Sequence, residues 1–459
     1  MKRLIITLIT TMILTGILTG PAATVHAAAE PPEILATAGI LIDAKTGAVL
    51  YSKNADYQLE PASTTKMITC LLALENLQLS QVVTIDAETP FTEGSRIYLL
   101  EGEEITVEHL LYALMLESAI DAAVALAKEI AGSVENFAVM MNERAKELGA
   151  KNTNFVNPNG LHLEGHASTV YDLAMIAKGA MENETFRTIV STYRHVIPAT
   201  NKQEERYMYN TNRLLYDEKT KVPVLGVNRP AKYEGAIGIK TGYTSHAQGC
   251  LVAGAQREGT ELIAAVLQST DPGRFGDCIA LLDYGFANFR TVQPVVAGTD
   301  TGEVSVRKGA VKTVGTIIAD NGYVTLPPEA SESVIKTEIK MDEDIQAPIT
   351  AGQKLGVVEI YEGGELYGSV DIIATGSVEA GGFGILTSLG VADKTAGTIL
   401  IVSSIVLGLV LLLLITYIIL KRRQIRRRRA RREKRAMEIA LERQKRQKEY
   451  EQRQWPYLR

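Results

Sequence analysis

Pro61-Ala62-Ser63-Thr64-Thr65-Lys66-Met67 is the stretch on which the reading of this chain turns. A loop ending in Pro61-Ala62 runs into an apolar, helically spaced segment, Met67 to Leu77, and a serine and a lysine stand at its mouth three residues apart. A serine hydroxyl is a poor nucleophile until a base takes its proton. One helical turn puts residues i and i+3 on the same face, so Lys66 can touch Ser63 and, if held neutral, act as that base. The start of a helix also offers backbone N–H groups to a developing oxyanion.

Spacing alone does not single this tetrad out. Ser305-Val306-Arg307-Lys308 and Ser333-Val334-Ile335-Lys336 share it, and both lie in a Val/Ile/Thr-rich region without other reactive residues. Lys-Thr-Gly likewise occurs twice, at Lys45 and at Lys240. The first sits between Ala38–Ile42 and Ala48–Tyr51, two strand-like runs, and reads as a hairpin turn. The second ends the run Gly235-Ala236-Ile237-Gly238-Ile239-Lys240. Between nucleophile and second Lys-Thr-Gly lies Ser118, at the end of a helix predicted over Val107–Leu116 with Thr106 as its cap. Taken singly, Ser118 is a helix-end cap and Lys240 a solvated strand end. Context and order set these residues apart: the serine–lysine pair first, then Ser118 at a helix end, then Lys240-Thr241-Gly242 at the end of a strand-like run.

Around this set, residues 34–290 mix strands and helices. Helices are expected over Ala122–Ile130, from a Thr169–Asp172 capping box through Met181, and over Asp277–Phe289; Cys250–Ala255 and Leu262–Leu267 read as paired strands around Glu258-Gly259. Residues 291–376 change character. Short runs such as Val314–Ile318, Tyr323–Leu326, Val334–Ile339 and Leu355–Tyr361 alternate with Gly and Pro, which predicts a small all-β domain. The whole is α+β, followed by a Gly-rich linker over 377–397.

The ends set the compartment. Lys2-Arg3, an apolar run and small residues up to Ala29 predict a signal peptide over 1–28, so the large domain is expected outside. Thr398–Leu420 carries no charge and, at about 1.5 Å per residue, is long enough for a bilayer core of roughly 30 Å. Residues 421–459 hold 17 Lys or Arg against 5 Glu, within a chain of 459 residues and net charge -5. Such a flank is the positive-inside pattern of a cytoplasmic tail, and a lipid surface is its expected contact rather than nucleic acid. Cys70, Cys250 and Cys278 are odd in number and widely spaced, which predicts buried thiols without a disulfide framework, one pairing being left open. No Cys/His spacing points to zinc.

The flanking residues resemble a known family. Ala38-Gly39-Ile40-Leu41-Ile42-Asp43-Ala44-Lys45-Thr46-Gly47, Pro61 to Met67, Phe155-Val156-Asn157-Pro158-Asn159-Gly160-Leu161 and Ile237-Gly238-Ile239-Lys240-Thr241-Gly242-Tyr243-Thr244 closely resemble the low-molecular-mass D-alanyl-D-alanine carboxypeptidases, among the serine penicillin-recognising enzymes. The match covers about residues 34–290, and the β domain and anchor by architecture. It implies a transpeptidase/β-lactamase-like fold, no metal or organic cofactor, peptidoglycan stem peptides as substrate and β-lactams as inhibitors. It further implies Ser63 as the acylated nucleophile, Lys66 as base and Ser118 as relay to the leaving D-alanine. Lys240 and Thr241, with Gly242 beside them, would hold the substrate carboxylate, and the N–H groups of Ser63 and Tyr243 the oxyanion.

One place departs from the pattern. The second motif of the family reads Ser-x-Asn; here it is Ser118-Ala119-Ile120, followed by Asp121-Ala122-Ala123, which fits. Ile120 has no side-chain hydrogen-bonding group. A missing amide leaves Lys66 less well placed and one substrate contact unmade. Two other readings therefore stand beside the carboxypeptidase: a β-lactamase, for which no glutamate-base motif is visible between Ser118 and Lys240, and a weakly active or non-catalytic wall-peptide-binding scaffold, which Ile120 favours.

Overall fold

The computed structural model describes residues 30–381 and 393–454. The expected signal peptide lies outside them. The described residues group into two units by contact, one of 30–295, 322–337 and 360–368, the other of 296–321, 338–359, 369–381 and 393–454.

The first unit is built on a five-stranded antiparallel sheet. Its strands are β1 (Ala38–Asp43), β2 (Val49–Lys53), β3 (Ala236–Thr244), β4 (Gln248–Arg257) and β5 (Thr260–Ser269), in the order β2-β1-β5-β4-β3. The predicted hairpins β1–β2 and β4–β5 are both present. Both faces are buried, and the two-residue period sorts their side chains. Ile40, Ile42, Val252, Ile263, Ala265 and Leu267 enter the core shared with α1 (Lys66–Asn76), α2 (Val107–Leu116), α3 (Ile120–Ala131), α4 (Val134–Glu147), α5 (Val170–Met181) and α6 (Glu184–Ser191). Leu41, Leu251, Ala253, Leu262 and Ala264 point the other way, onto Phe275, Ile279 and Leu282 of α7 (Gly273–Asn288).

The caps fall where sequence places them. Thr106 accepts from the His109 amide and Thr169 from that of Asp172, and Gly132 ends α3 with φ 75°. The three cysteines are buried and free, so the open pairing is not made. Lys45 of the first Lys-Thr-Gly lies in the β1–β2 turn, 3.7 Å from Glu261, as a turn residue should.

β6 (Arg290–Val295) pairs with β9 (Gly322–Leu326) within the first unit, where the Thr291 and Thr325 hydroxyls both donate to Asp43. Chain order hence does not follow compactness: a strand expected in the β domain bonds to the β1 end. The remaining β-rich region carries a sheet ordered β7 (Asp300–Ser305), β8 (Thr313–Ile318), β12 (Glu365–Ala374), β11 (Lys354–Glu362), β10 (Ile335–Met341). Val306, Val314, Ile345, Ile349, Leu355 and Val378 form the second unit's own core. The first residues of the expected linker are bonded to the β-rich unit. Val378 exchanges backbone hydrogen bonds with Ile349, and Gly381 donates to the Lys308 carbonyl. Residues 382–392 lie outside the described residues. From Asp393 a single helix, α8, runs to Gln454, taking in the apolar span and the basic tail without a break.

Candidate active site

The site is assembled where the turn before α1 meets the outer edge of β3. Residues Ala62–Thr65 form one tight 3-10 turn that feeds directly into α1. Thr64 donates its hydroxyl to the Pro61 carbonyl at 2.6 Å and closes the turn. Lys66 is fully buried, and its Nζ donates to Ser63 Oγ at 2.9 Å and to the Asn159 carbonyl at 2.6 Å. Burial, and then the positive charge of Lys240, push the Lys66 amine well below the usual lysine value, with Asp121 opposing. A lysine so placed is held towards its neutral, proton-accepting form beside a serine hydroxyl.

The second contact of Lys66 comes from the loop Asn157–Leu161. The Asn157 side chain accepts from the amides of Asn159 and Gly160 and donates to the Leu161 carbonyl, so one residue shapes the loop. Thr69 of α1 donates to the Pro158 carbonyl at 2.7 Å and ties the loop down. Gly160 has φ 85°, and a Cβ there would lie 1.8 Å from the Ala62 carbonyl oxygen. Only glycine allows this approach to the turn that carries Ser63. His166, whose imidazole meets the Thr65 hydroxyl at 2.9 Å, is driven down to about 4 by burial and by Lys66.

β3 contributes the third wall. Lys240 and Thr241 are buried, and Tyr243 is 59% exposed at the strand's outer end. A Cβ on Gly242 would lie 3.1 Å from the Ser63 nitrogen, so the strand backbone presses on the turn that carries Ser63. β3 is the last strand of its sheet, and its free edge can accept an extended peptide as an added strand. Burial, then the Arg274 guanidinium, lower Lys240 to about 7, against Glu117. Arg274 donates to the Gly242 carbonyl at 2.8 Å, and the Thr211 and Thr241 hydroxyls meet at 2.7 Å. Lys240, Arg274, Thr241 and Thr211 thus gather two basic side chains and two hydroxyls at this end of the site.

Ser118 stands between α2 and α3 with φ 60°, a left-handed conformation that costs a non-glycine residue roughly 1–2 kcal/mol. Its Oγ is buried and, among the described residues, has no hydrogen-bond partner. Its neighbours are charge partners of the two lysines, Glu117 of Lys240 and Asp121 of Lys66. Asp121 is itself buried and accepts from the amides of Ile97, Leu99 and Ala122; burial raises its carboxyl while these bonds pull it down. Ile120 is buried too: its amide donates to the Ser95 carbonyl, and its Cδ1 fills the space over Gly94, beside Leu161.

The structure thus brings the Ser63–Lys66 pair into contact and sets Lys240–Tyr243 beside it. Sequence reading missed Thr211, Arg274 and the Asn159 carbonyl. Asn159 lies in a quoted motif, but its contribution is a backbone atom, which no side-chain pattern reveals. Arg274 and Thr211 stand alone in their segments and gain meaning only from contact with β3.

Comparison with known proteins agrees. Residues 25–271 match the family described as D-alanyl-D-alanine carboxypeptidase, and residues 289–380 match the C-terminal domain of penicillin-binding protein 5. The chain is 34% identical over 354 residues to D-alanyl-D-alanine carboxypeptidase DacF of Bacillus subtilis, covering 76% of this chain and 87% of that protein. Penicillin-binding protein 5 from Haemophilus influenzae superposes with a TM-score of 0.60 at 30% identity, over 76% of this chain and 99% of the other. The Streptomyces K15 DD-transpeptidase gives 0.51 at 36% identity, over 56% and 100%. A buried lysine on a serine, a strand edge with basic and hydroxyl side chains behind it and these likenesses converge: the chain belongs to the D-alanyl-D-alanine carboxypeptidases, serine enzymes of the low-molecular-mass penicillin-binding class that remove the terminal D-alanine of peptidoglycan stem peptides.

Proposed function

We propose that Ser63 is the acylated residue and Lys66 its base, the carrying observation being the 2.9 Å contact with that hydroxyl of a fully buried lysine whose amine burial pushes below its usual value. The stem peptide lies along the free edge of β3 with its terminal carboxylate towards Lys240 and Thr241, backed by Arg274 and Thr211. Lys66 takes the Ser63 proton as Oγ bonds to the penultimate D-alanyl carbonyl carbon. The oxyanion sits between the N–H groups of Ser63 and Tyr243, donors fixed in advance of the charge they meet. As the C–N bond breaks, the leaving nitrogen receives a proton from the Ser118 hydroxyl, which Lys66 restores. D-alanine departs, and water attacks the ester to free the peptide and Ser63. A β-lactam enters by the same acylation.

The catalytic unit works outside the membrane, on wall peptide, with the apolar stretch 398–420 as its single span and the basic tail on the cytoplasmic surface. The apolar part of α8 and the charge step at Lys421 support this reading.

The test is fluorescent penicillin labelling together with D-alanine release from a D-Ala-D-Ala peptide, for wild type and Ser63→Ala. Wild type should do both and Ser63→Ala neither while remaining folded. Labelling that persists in Ser63→Ala places the nucleophile elsewhere.

A further inference from the structure

The hairpin of Arg194–Ile197 with Arg206–Tyr209 has two unlike faces. His195, Ile197 and Met208 point inward. His195 stacks on Tyr112 of α2, with ring centroids 3.7 Å apart and planes 5° from parallel, and Ile197 and Met208 are buried in the core. The two-residue period turns Arg194, Val196, Tyr207 and Tyr209 the other way. Arg194 lies over both phenol rings, 4.8 Å from the Tyr207 centroid and 6.0 Å from that of Tyr209, and Tyr193 stands edge-on to Tyr209 at 5.9 Å. Tyr193, Tyr207 and Tyr209 are 47%, 43% and 44% exposed. The catalytic roles proposed above use none of these side chains.

The outward face of such a ribbon ordinarily carries polar residues, so half-exposed tyrosines gathered around one guanidinium mark a binding surface. Its size narrows the choice of partner. A tyrosine buries at most about 250 Å², so these three, each with under half its surface free, offer roughly 300 Å². A stable protein interface takes about 800 Å² from each partner. The patch therefore suits a narrow chain. Its position narrows the choice further. The Tyr209 amide donates to Glu117 at 2.7 Å, and Glu117 is a charge partner of Lys240. Just beyond Tyr209, the Thr211 hydroxyl meets that of Thr241. The ribbon thus adjoins the end of the site where the stem peptide terminates.

Resting on the proposed path of that peptide, we propose that the outer face of the ribbon binds the sugar strands of the wall. Stem peptides are carried on chains of linked N-acetylated sugars. With the peptide running along β3, the sugar chain is the component of the same polymer left to reach this face. The peptide presents its C-terminus here and not its sugar end, so the strand bound is a neighbour of the one whose peptide is cut. A sugar ring has a face of C–H bonds and a rim of hydroxyl and acetamido groups. The C–H face packs on the electron-rich face of a phenol ring. The phenol hydroxyls and the Arg194 guanidinium donate to the rim. Tyr207 and Tyr209 are about 7 Å apart along the strand, so the face takes a short run of rings rather than a single one. The platform keeps the enzyme on its polymer between one stem peptide and the next.

Peptide-free glycan strands, tagged with a fluorophore at the reducing end, test it by titration with the full-length protein in detergent micelles. High salt screens the carboxylates bared by stripping, so that Arg194 does not hold them as loose counterions. Wild type should bind saturably and Tyr207→Ala/Tyr209→Ala about 10-fold or more weakly. Penicillin labelling and D-alanine release from a free D-Ala-D-Ala peptide should stay as in wild type. No saturable binding by wild type, or equal binding by the double variant, overturns the assignment. If the double variant loses penicillin labelling, and with it the fold, Arg194→Gln/Tyr207→Ala decides, since both side chains lie on the outer face. Weaker binding then supports the platform, and unchanged binding overturns it. A wild-type dimer dissociated by these substitutions, without strand binding, gives the face to a second copy and likewise overturns it. The catalytic reading fails separately: Ser63→Ala should bind strands as wild type does, whether or not it still labels.

Discussion

Ile120 stands where the family pattern has an amide, and the structure divides the consequence in two. The orienting half is supplied elsewhere: Lys66 is fixed by Ser63 Oγ and the Asn159 carbonyl. The substrate half is not, because Ile120 spends its side chain on the space over Gly94. One neutral hydrogen bond contributes about 0.5–1.5 kcal/mol net, or roughly 2- to 10-fold. Penicillin labelling of folded Ile120→Asn at early times should therefore be faster than wild type by about that factor. No gain would mean that another group already serves the substrate amide. Lys240 supports a second expectation. Its lowered value, about 7, means that the free enzyme carries the ammonium below that pH and loses it above. Binding the substrate carboxylate then requires proton uptake, so log(kcat/KM) should fall with rising pH above about 7, while kcat, measured with the carboxylate bound, holds further. Lys45→Ala should leave both profiles unchanged, since that lysine belongs to a turn beside Glu261. At this scale the Ser63–Lys66 pair was legible because an i, i+3 spacing at a helix start is a geometric statement. The burial of Lys66, which favours its neutral form, was not.

At the scale of elements, the loop Asn157–Leu161 is the least replaceable part. It joins α1, the turn that carries Ser63 and Lys66 through backbone atoms, so its effect depends on shape. Gly160→Ala sets a Cβ against the Ala62 carbonyl and demands a positive φ from a residue that resists it. Ala62 must move, and Ser63 with it; a misplacement of about 1 Å can cost roughly 10²-fold in rate. The variant should lose at least about that in penicillin labelling, with a lowered melting temperature but an intact far-UV spectrum. Near-normal labelling would show that the loop tolerates displacement. Helices with local signals were readable, α2 from Thr106 and α5 from Thr169. α4 was overlooked although its signals exist: Ser133 accepts from the Asn136 amide, and Phe137, Met141 and Ala145 repeat on one face. The hairpin Arg194–Ile197 with Arg206–Tyr209 has no such local sign. It is held by long-range bonds, Tyr209 to Glu117 and Asn210 to Val190 and Thr192.

On the scale of the molecule, topology was the least legible level, because β1 pairs with β5 more than 200 residues later in the chain and no local pattern records that partnership. The long apolar C-terminal helix is the opposite case, written in composition alone. Residues 398–420 span about 34 Å as a helix, and every backbone polar group is satisfied within it, as hydrocarbon requires. Lys421, Arg422 and Arg423 follow directly, then four consecutive arginines from Arg426. Moving such a cluster through a bilayer is far costlier than leaving it behind, since each central arginine or lysine adds about 2.5–3.5 kcal/mol on insertion scales. The tail is thus expected to stay cytoplasmic and the catalytic unit to face outward. Protease added to intact protoplasts bearing a tag after Arg459 should remove the catalytic unit, read as loss of the penicillin-labelled band, and leave a tagged fragment of the span and tail. After lysis the tag should go too. Loss of the tag while the protoplasts are still intact would reverse the orientation, and survival of the labelled band until lysis would put the catalytic unit inside.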